Sequence, residues 1–330
     1  MTQTEEDRKM KRLTMLMALV CVGCLFGNPV MGKQYVTIAT GGTGGTYYPV
    51  GAAMSKILNN KVEGISTNAE STGGSVANCR LLGEKKVEFG FSATDALYAA
   101  YFSEREFEKS YKNLRLLFVG YGAPFHVLVG KKSNMKEIVD LKGKKVASYP
   151  GNTSEFQVPS ILSVYGISRD DYTTVPLRPS EQVQAYRDGA VDVIFSTLGT
   201  PNSAIMDLTT THDMRFLPIK GEEADQAIEK YPFFPKDVIE KGIYPGLDHD
   251  VQTLATKIVL ITHKDVSDKL ITAFMDVIAN SQEELGQIHK AAATFKPEKI
   301  VDSVYIPLHP AAEKWYQSKG ILNKPEVLWK

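Results

Sequence analysis

Four times in this chain a β-prone run breaks into a loop of Gly, Ser, Thr and Asn and passes straight into a helical pattern. The loops are ATGGTGGTYYPVG from Ala39, AESTGGS from Ala69, YPGNTS from Tyr149 and STLGTPN from Ser196. This repetition is the strongest constraint on the fold, because strands alternating with helices point to an α/β architecture built on parallel sheets. Around the first loop, Tyr35–Thr40 has strand character, and Val50, Met54, Ile57 and Leu58 follow at helical spacing. The segment 65–101 reads as strand, turn, helix, short strand, turn and helix. LRLLFVGYG and HVLVGKK read as two further strands, and strands also precede the third and fourth loops. A helix is expected over Pro179–Asp188, and Pro201 suits a first helical turn.

The run VQTLATKIVLITH, Val251–His263, reads as a return strand ahead of an amphipathic helix carrying Leu270, Ile271 and Phe274. With HVLVG leaving a first lobe and KIVLI re-entering it, the expected organisation is a discontinuous lobe 1, residues 33–128 plus 257–330, and a lobe 2, residues 129–256. The two hinge strands then place a cleft between the lobes. The stretch Tyr231–Gly246 reads as a surface excursion without chemistry.

What the loops hold follows from their chemistry. A dinucleotide fingerprint starting at Gly42 needs glycine at position 47, where Tyr47 stands, and a phosphate loop needs a Gly-Lys pair that the chain lacks here. Helix starts expose N–H groups and favour an anion by about 0.3–1 kcal/mol each, up to ~2 when partly buried. Singly, each loop is better explained as a turn or an ordinary helix cap. Two fall in each lobe, however, and ligands of open α/β sheets bind outside the carboxyl ends of the strands. Several such ends with charge-assisted hydrogen bonds approach the roughly −8 kcal/mol of a micromolar site without any arginine. The expected guest is a small carboxylate.

Other function classes are less well supported. Basic and acidic residues balance at a formal charge of zero, with no basic block, which argues against a nucleic-acid partner. His126, His212, His249, His263, His289 and His309 show neither metal-helix nor nucleophile-turn spacing. No metal or cofactor is expected. Asp248-His249-Asp250 reads as a solvated loop, Cys79 as a packed residue on an apolar stripe with Val76 and Leu82, and Asp95 as a helix cap in preference to a partner for a ligand amine. At the amino terminus, Lys9, Lys11 and Arg12 precede the apolar run Leu13–Phe26, and Val30-Met31-Gly32 offers small residues for cleavage. Residues 1–32 therefore read as an export signal cut near Gly32, with a lipid anchor at Cys24 the lesser reading because VCVGC lacks the usual leucine. Only Cys79 stays in the mature chain, so no internal disulfide is expected.

The segments TIATGGTGGTYYPVG, STGGSVANCRLL, DLKGKKVASYPG, STLGTPNSAI, IYPGLDHDVQTLAT and YIPLHPAAEKWY together resemble the TAXI family, the extracytoplasmic solute-binding proteins of one branch of TRAP transporters. The resemblance implies a type II periplasmic-binding-protein fold, two α/β lobes joined by hinge strands. It also implies a periplasmic, monomeric, non-enzymatic receptor that delivers a glutamate-like or 2-oxoglutarate-like acid to large and small TRAP membrane subunits, separate or fused. By motif match it implies ligand contact at Thr43, Gly44, Gly45 and Tyr47, at Ser71, Thr72 and Gly73, and at Asn152 and Thr153. The chain departs from the family at Ala52-Ala53, at Ser92–Asp95 and in PGNTS, which bears on ligand identity. Arg178 stands where the family usually lacks arginine, either as a carboxylate contact or as a surface residue. An ABC-type binding protein of the same fold and a secreted α/β transferase are the alternatives.

Overall fold

The computed structural model describes residues 33–300 and 306–322; the expected export signal lies outside the described residues. The chain opens with β1 (Gln34–Ala39), α1 (Tyr47–Lys61), β2 (Ile65–Glu70), α2 (Ser75–Gly83), β3 (Phe89–Ala93) and α3 (Thr94–Phe102). It continues through β4 (Leu114–Gly130), β5 (Lys145–Ser148), a π-helical turn Thr153–Gln157 leading into α4 (Val158–Val164), β6 (Thr173–Pro176), α5 (Pro179–Arg187), β7 (Val193–Thr197) and α6 (Ser203–Thr211). After β8 (Met214–Phe216), α7 (Gly221–Lys230), β9 (Lys236–Ile239) and β10 (Val251–His263) come α8 (Asp268–Asn280), α9 (Gln282–Ile288) and α10 (Pro310–Ser318).

The strands lie in the order β2-β1-β3-β10-β4-β7-β5-β6, with β8 beside β4 and β9 beside β10. Parallel pairing holds where the sequence alternates strand and helix: β1 with β3, and β5 with both β6 and β7. The expectation of parallel sheets fails at the centre, where β10 is antiparallel to β3 and β4, and β4 is antiparallel to β7. The cause is that β4 and β10 are long strands that pass from one half of the sheet into the other. β10 pairs through Ile258–Thr262 with β3 and through Val251–Leu254 with β9. β4 pairs with β10 up to Pro124 and with β7 from Phe125. LRLLFVGYG and HVLVGKK are therefore one strand. Pro124 is tolerated within it because it sits at the change of partners, its carbonyl accepting from Leu198 N at 3.4 Å.

Each half has its own buried core. Val36, Ile38, Phe89, Phe91, Leu116, Phe118, Leu260 and Phe274 pack in the first. In the second half, the period-2 alternation of a strand sends Val127, Val193 and Phe195 to one face and Leu128 and Ile194 to the other, and both faces are covered. Cys79 is fully buried in the first core, 3.3 Å from Ser92 Oγ, and burial pushes its thiol up to about 12. Cys79→Ser is expected to cost about 1 kcal/mol of stability, in the usual range for one substitution, which urea titration would measure. A loss of the whole unfolding transition would contradict it.

Tyr231–Gly246 is more than a surface excursion. It supplies β9, the buried Phe234 and the buried Tyr244, whose hydroxyl accepts from Asn202 N at 3.1 Å and lies 3.0 Å from His126 Nε2. Among the described residues no helix is long and apolar enough to cross a membrane.

Candidate functional site

The four loops converge at the carboxyl ends of β1, β2, β5 and β7, as the rule for open sheets requires. They enclose a cavity of about 80 Å³, several times the ~10–15 Å³ that one water needs. Its wall is drawn from the first loop (Gly41, Gly42, Gly45, Thr46, Tyr47), the second (Gly73, Gly74, Ser75), the third (Tyr149, Asn152, Thr153) and the fourth (Thr197, Leu198, Gly199). Tyr121 of β4 and Thr256 of β10 form part of the lining where those strands pass between the halves, and Gln157 closes the wall behind the third loop.

Of the residues singled out by motif, Gly45, Tyr47, Gly73, Asn152 and Thr153 line this cavity, whereas Thr43, Gly44, Ser71 and Thr72 do not. Thr43 is exposed. Ser71 Oγ donates to Gly41 O at 2.9 Å, and Thr72 Oγ1, with one proton to give, lies 2.9 Å from Thr40 O and 2.6 Å from Asn78 Oδ1. These hydroxyls hold the first two loops in shape. Gly44 faces the other half of the sheet: a Cβ there would lie 2.4 Å from Ser180 Oγ. Arg178 is exposed and does not line the cavity; its backbone N donates to Glu181 at 2.9 Å.

The halves touch around the cavity through neutral groups. Tyr149 Oη accepts from Gly42 N at 3.3 Å, Thr46 Oγ1 donates to Gly199 O at 3.3 Å, and Asn202 Nδ2 donates to Gly44 O at 3.4 Å. Thr46 thus spends its hydroxyl across the cleft and leaves α1 without a side-chain cap. The fourth helix start is different, because Asn202 Oδ1 accepts from Ala204 N and Ile205 N and satisfies α6 internally. Pro201 precedes this cap and is not the first helical residue. The starts of α1 and α2, at Tyr47 and Ser75, lie in the cavity lining and carry no side-chain cap.

Asp95 is not a cap either. It is fully buried at the second position of α3 and accepts from Asn152 Nδ2, Gln157 Nε2 and Thr256 Oγ1. Arg105 donates to the Asp95 carbonyl and stands 3.7 Å over the Phe156 ring, a second tie between the halves. The lining itself contains no Lys, Arg, His, Asp or Glu. Burial, acting against a hydrogen bond from Ser75, pushes the Tyr47 hydroxyl well above its ordinary value, and burial does the same to Tyr121. Both phenols are therefore neutral hydrogen-bonding groups. Two residues of the lining carry a buried side-chain oxygen with no protein partner, Asn152 Oδ1 and Tyr121 Oη. Buried polar groups left unpaired are costly, so each calls for a guest atom.

Thr46, Ser75, Tyr149, Thr197 and Gly199 lie within the four loops, where loop chemistry alone could have pointed to them. Tyr121, Gln157 and Thr256 come from a strand, a helical turn and a return strand with no distinguishing pattern. Among the described residues there is no cluster of His, Cys, Asp and Glu that could hold a metal ion, and the His249–Asp248 pair is exposed.

Two α/β halves joined by two long strands around an interlobe cavity define the type II periplasmic-binding-protein fold. The model of the NMT1-like family matches residues 38–320, and the chain belongs to that family. Similar solved structures include a binding protein component of an ABC phosphonate transporter from Pseudomonas aeruginosa. It is 11% identical, the match covers 80% of each chain, and the TM-score is 0.54. A putative L-cystine ABC transporter protein from Listeria monocytogenes is 14% identical, with 80% of this chain and 98% of that one covered and a TM-score of 0.50.

Proposed function

We propose that this chain is an extracytoplasmic solute-binding protein whose two lobes close over a small organic acid. The observation that carries the reading is the cavity shared by both halves, with two buried polar atoms, Asn152 Oδ1 and Tyr121 Oη, that have no protein partner. Gly45, Tyr47, Gly73, Asn152 and Thr153 are the motif residues placed to touch the guest, together with Tyr121, Tyr149 and Thr197. The starts of α1 and α2 and the phenolic hydroxyls favour a carboxylate in a cavity without a cation. A glutamate-like or 2-oxoglutarate-like acid is the guest class that the sequence motifs suggest.

The membrane partner is better read as an ABC permease than as TRAP subunits, because both neighbours reported above come from ABC systems. The TAXI resemblance keeps the TRAP reading as the second choice. A periplasmic location follows if residues 1–32 are cleaved near Gly32. The test is native mass spectrometry of protein purified without refolding, followed by small-angle scattering with the acid so identified. A co-purified organic acid and a smaller radius on its return are expected. A rigid profile at saturating ligand, or turnover of the bound compound, would overturn the reading.

A further inference from the structure

Asp95 touches the cavity only through its neighbours, yet it dictates what they offer. Its carboxylate accepts from Asn152 Nδ2 at 2.6 Å and from Gln157 Nε2 at 3.0 Å. A carboxylate has no proton to give, so both amides must turn their NH₂ groups toward it. The Asn152 oxygen is then committed: it is buried, unpartnered, and carried by a lining residue only 7% exposed. The Gln157 oxygen accepts from Thr153 Oγ1 at 3.0 Å and Thr197 Oγ1 at 2.7 Å. Those hydroxyl protons are consumed, and the two threonine oxygens can only accept from a guest. This wall is therefore all acceptor.

Two tyrosines of the lining have the opposite character. Tyr121 Oη is unpartnered on a residue 6% exposed, and Tyr149 Oη, which accepts from Gly42 N, still has its own proton to donate. A carboxylate fits these donors. An amine or hydroxyl fits the acceptor wall, and a carbonyl oxygen there would face acceptors only.

We propose that Asp95 is a specificity-determining residue: by fixing the polarity of Asn152, Thr153 and Thr197, it makes the cavity select an acid that carries an N–H or O–H donor over the matching 2-oxo acid. This rests on the reading of the cavity as a carboxylate site. An oxo acid would leave the buried Asn152 oxygen unpaired, a loss equivalent to about tenfold to a hundredfold in affinity.

The test is calorimetry on the whole protein with matched pairs: glutamate and 2-oxoglutarate, aspartate and oxaloacetate, alanine and pyruvate. Wild type is expected to bind the amino acid of at least one pair tenfold or more above its oxo partner. Asp95→Asn, which frees both amides to turn over, and Asn152→Ala, which deletes the acceptor, should each bring that ratio to within about threefold, with circular dichroism checking the fold. The wild-type comparison needs no variant. Oxo acids bound as tightly as the amino acids would overturn the inference and leave the carboxylate site standing. Binding of none of the six acids would overturn both. An undiminished ratio in folded Asp95→Asn would remove Asp95 from the role.

Discussion

Replacing Gly44 by valine is expected to weaken ligand binding by a hundredfold or more, in a protein that stays folded and open. The reason is steric and acts between the halves. Even a bare Cβ at Gly44 would stand 2.4 Å from Ser180 Oγ and 3.5 Å from Ser180 N at the start of α5. The side-chain oxygen could swing away, but a β-branched residue adds two methyl groups toward backbone that cannot. The Asn202 contact to the Gly44 carbonyl would be lost with the same displacement. Since Gly44 does not line the cavity, a ligand bound to the open form should retain whatever affinity the first loop supplies by itself. Scattering of Gly44→Val should show the larger radius with or without ligand, while calorimetry shows the loss. Parental affinity in the folded variant would mean that the halves close without this contact.

Acidification from pH 6.5 to 4 is expected to remove roughly 3 kcal/mol of stability through His126 alone. This residue is fully buried, with Nδ1 2.9 Å from Pro124 O and Nε2 3.0 Å from the Tyr244 hydroxyl. Tyr244 can donate to Nε2 because its oxygen accepts from Asn202 N, so the neutral ring carries its proton on Nδ1 and gives it to Pro124. Burial holds the His126 pKa down to about 4, against 6.5 for the ordinary side chain. A base with a depressed folded value binds fewer protons folded than unfolded between those two limits. Its contribution is thus complete above pH 6.5, declines as pH falls and is gone near pH 4, at about 1.36 kcal/mol per unit. Against a total of ~5–15 kcal/mol for a native protein this is a large share.

His263, His289 and His309 are also lowered by burial and act with the same sign. The variant His126→Gln separates the terms: less stable than wild type at pH 7, it should show a flatter decline between pH 6.5 and 4. Denaturant titrations at four pH values decide it, and parallel curves for the two proteins would refute the assignment.

The same histidine shows what sequence reading could not supply. His126, Tyr244 and Asn202 are far apart in the chain, and no spacing among them signals that they meet. They meet because β4 carries His126 into the second half and the excursion after α7 folds back over it. Tyr231–Gly246 read as an undistinguished loop for that reason: its buried anchors, Phe234 and Tyr244, are spaced by no helical or strand period. The merging of two expected strands into β4 was hidden by Pro124, whose missing N–H argues against a strand interior until the change of partners at that point is known.

The sequence by itself determined the α/β class, the positions of most strands and helices and the four loops that meet, because hydrophobic period and Gly, Ser and Thr punctuation are local properties of the chain. Tertiary structure alone decided which loop atoms face inward. Thr46 could cap α1 or cross the cleft, and it crosses because Gly199 O lies within reach. Asn202 could serve a guest or α6, and it caps α6. Asp95 reads as a helix cap, yet it lies beneath the cavity and orients two amides that belong to the other half. Hydrogen-bond polarity is set by the nearest partner in space: for Thr46 and Asp95 the partners are 57 to 161 positions away, whereas those of Asn202 lie in the first turn of its own helix.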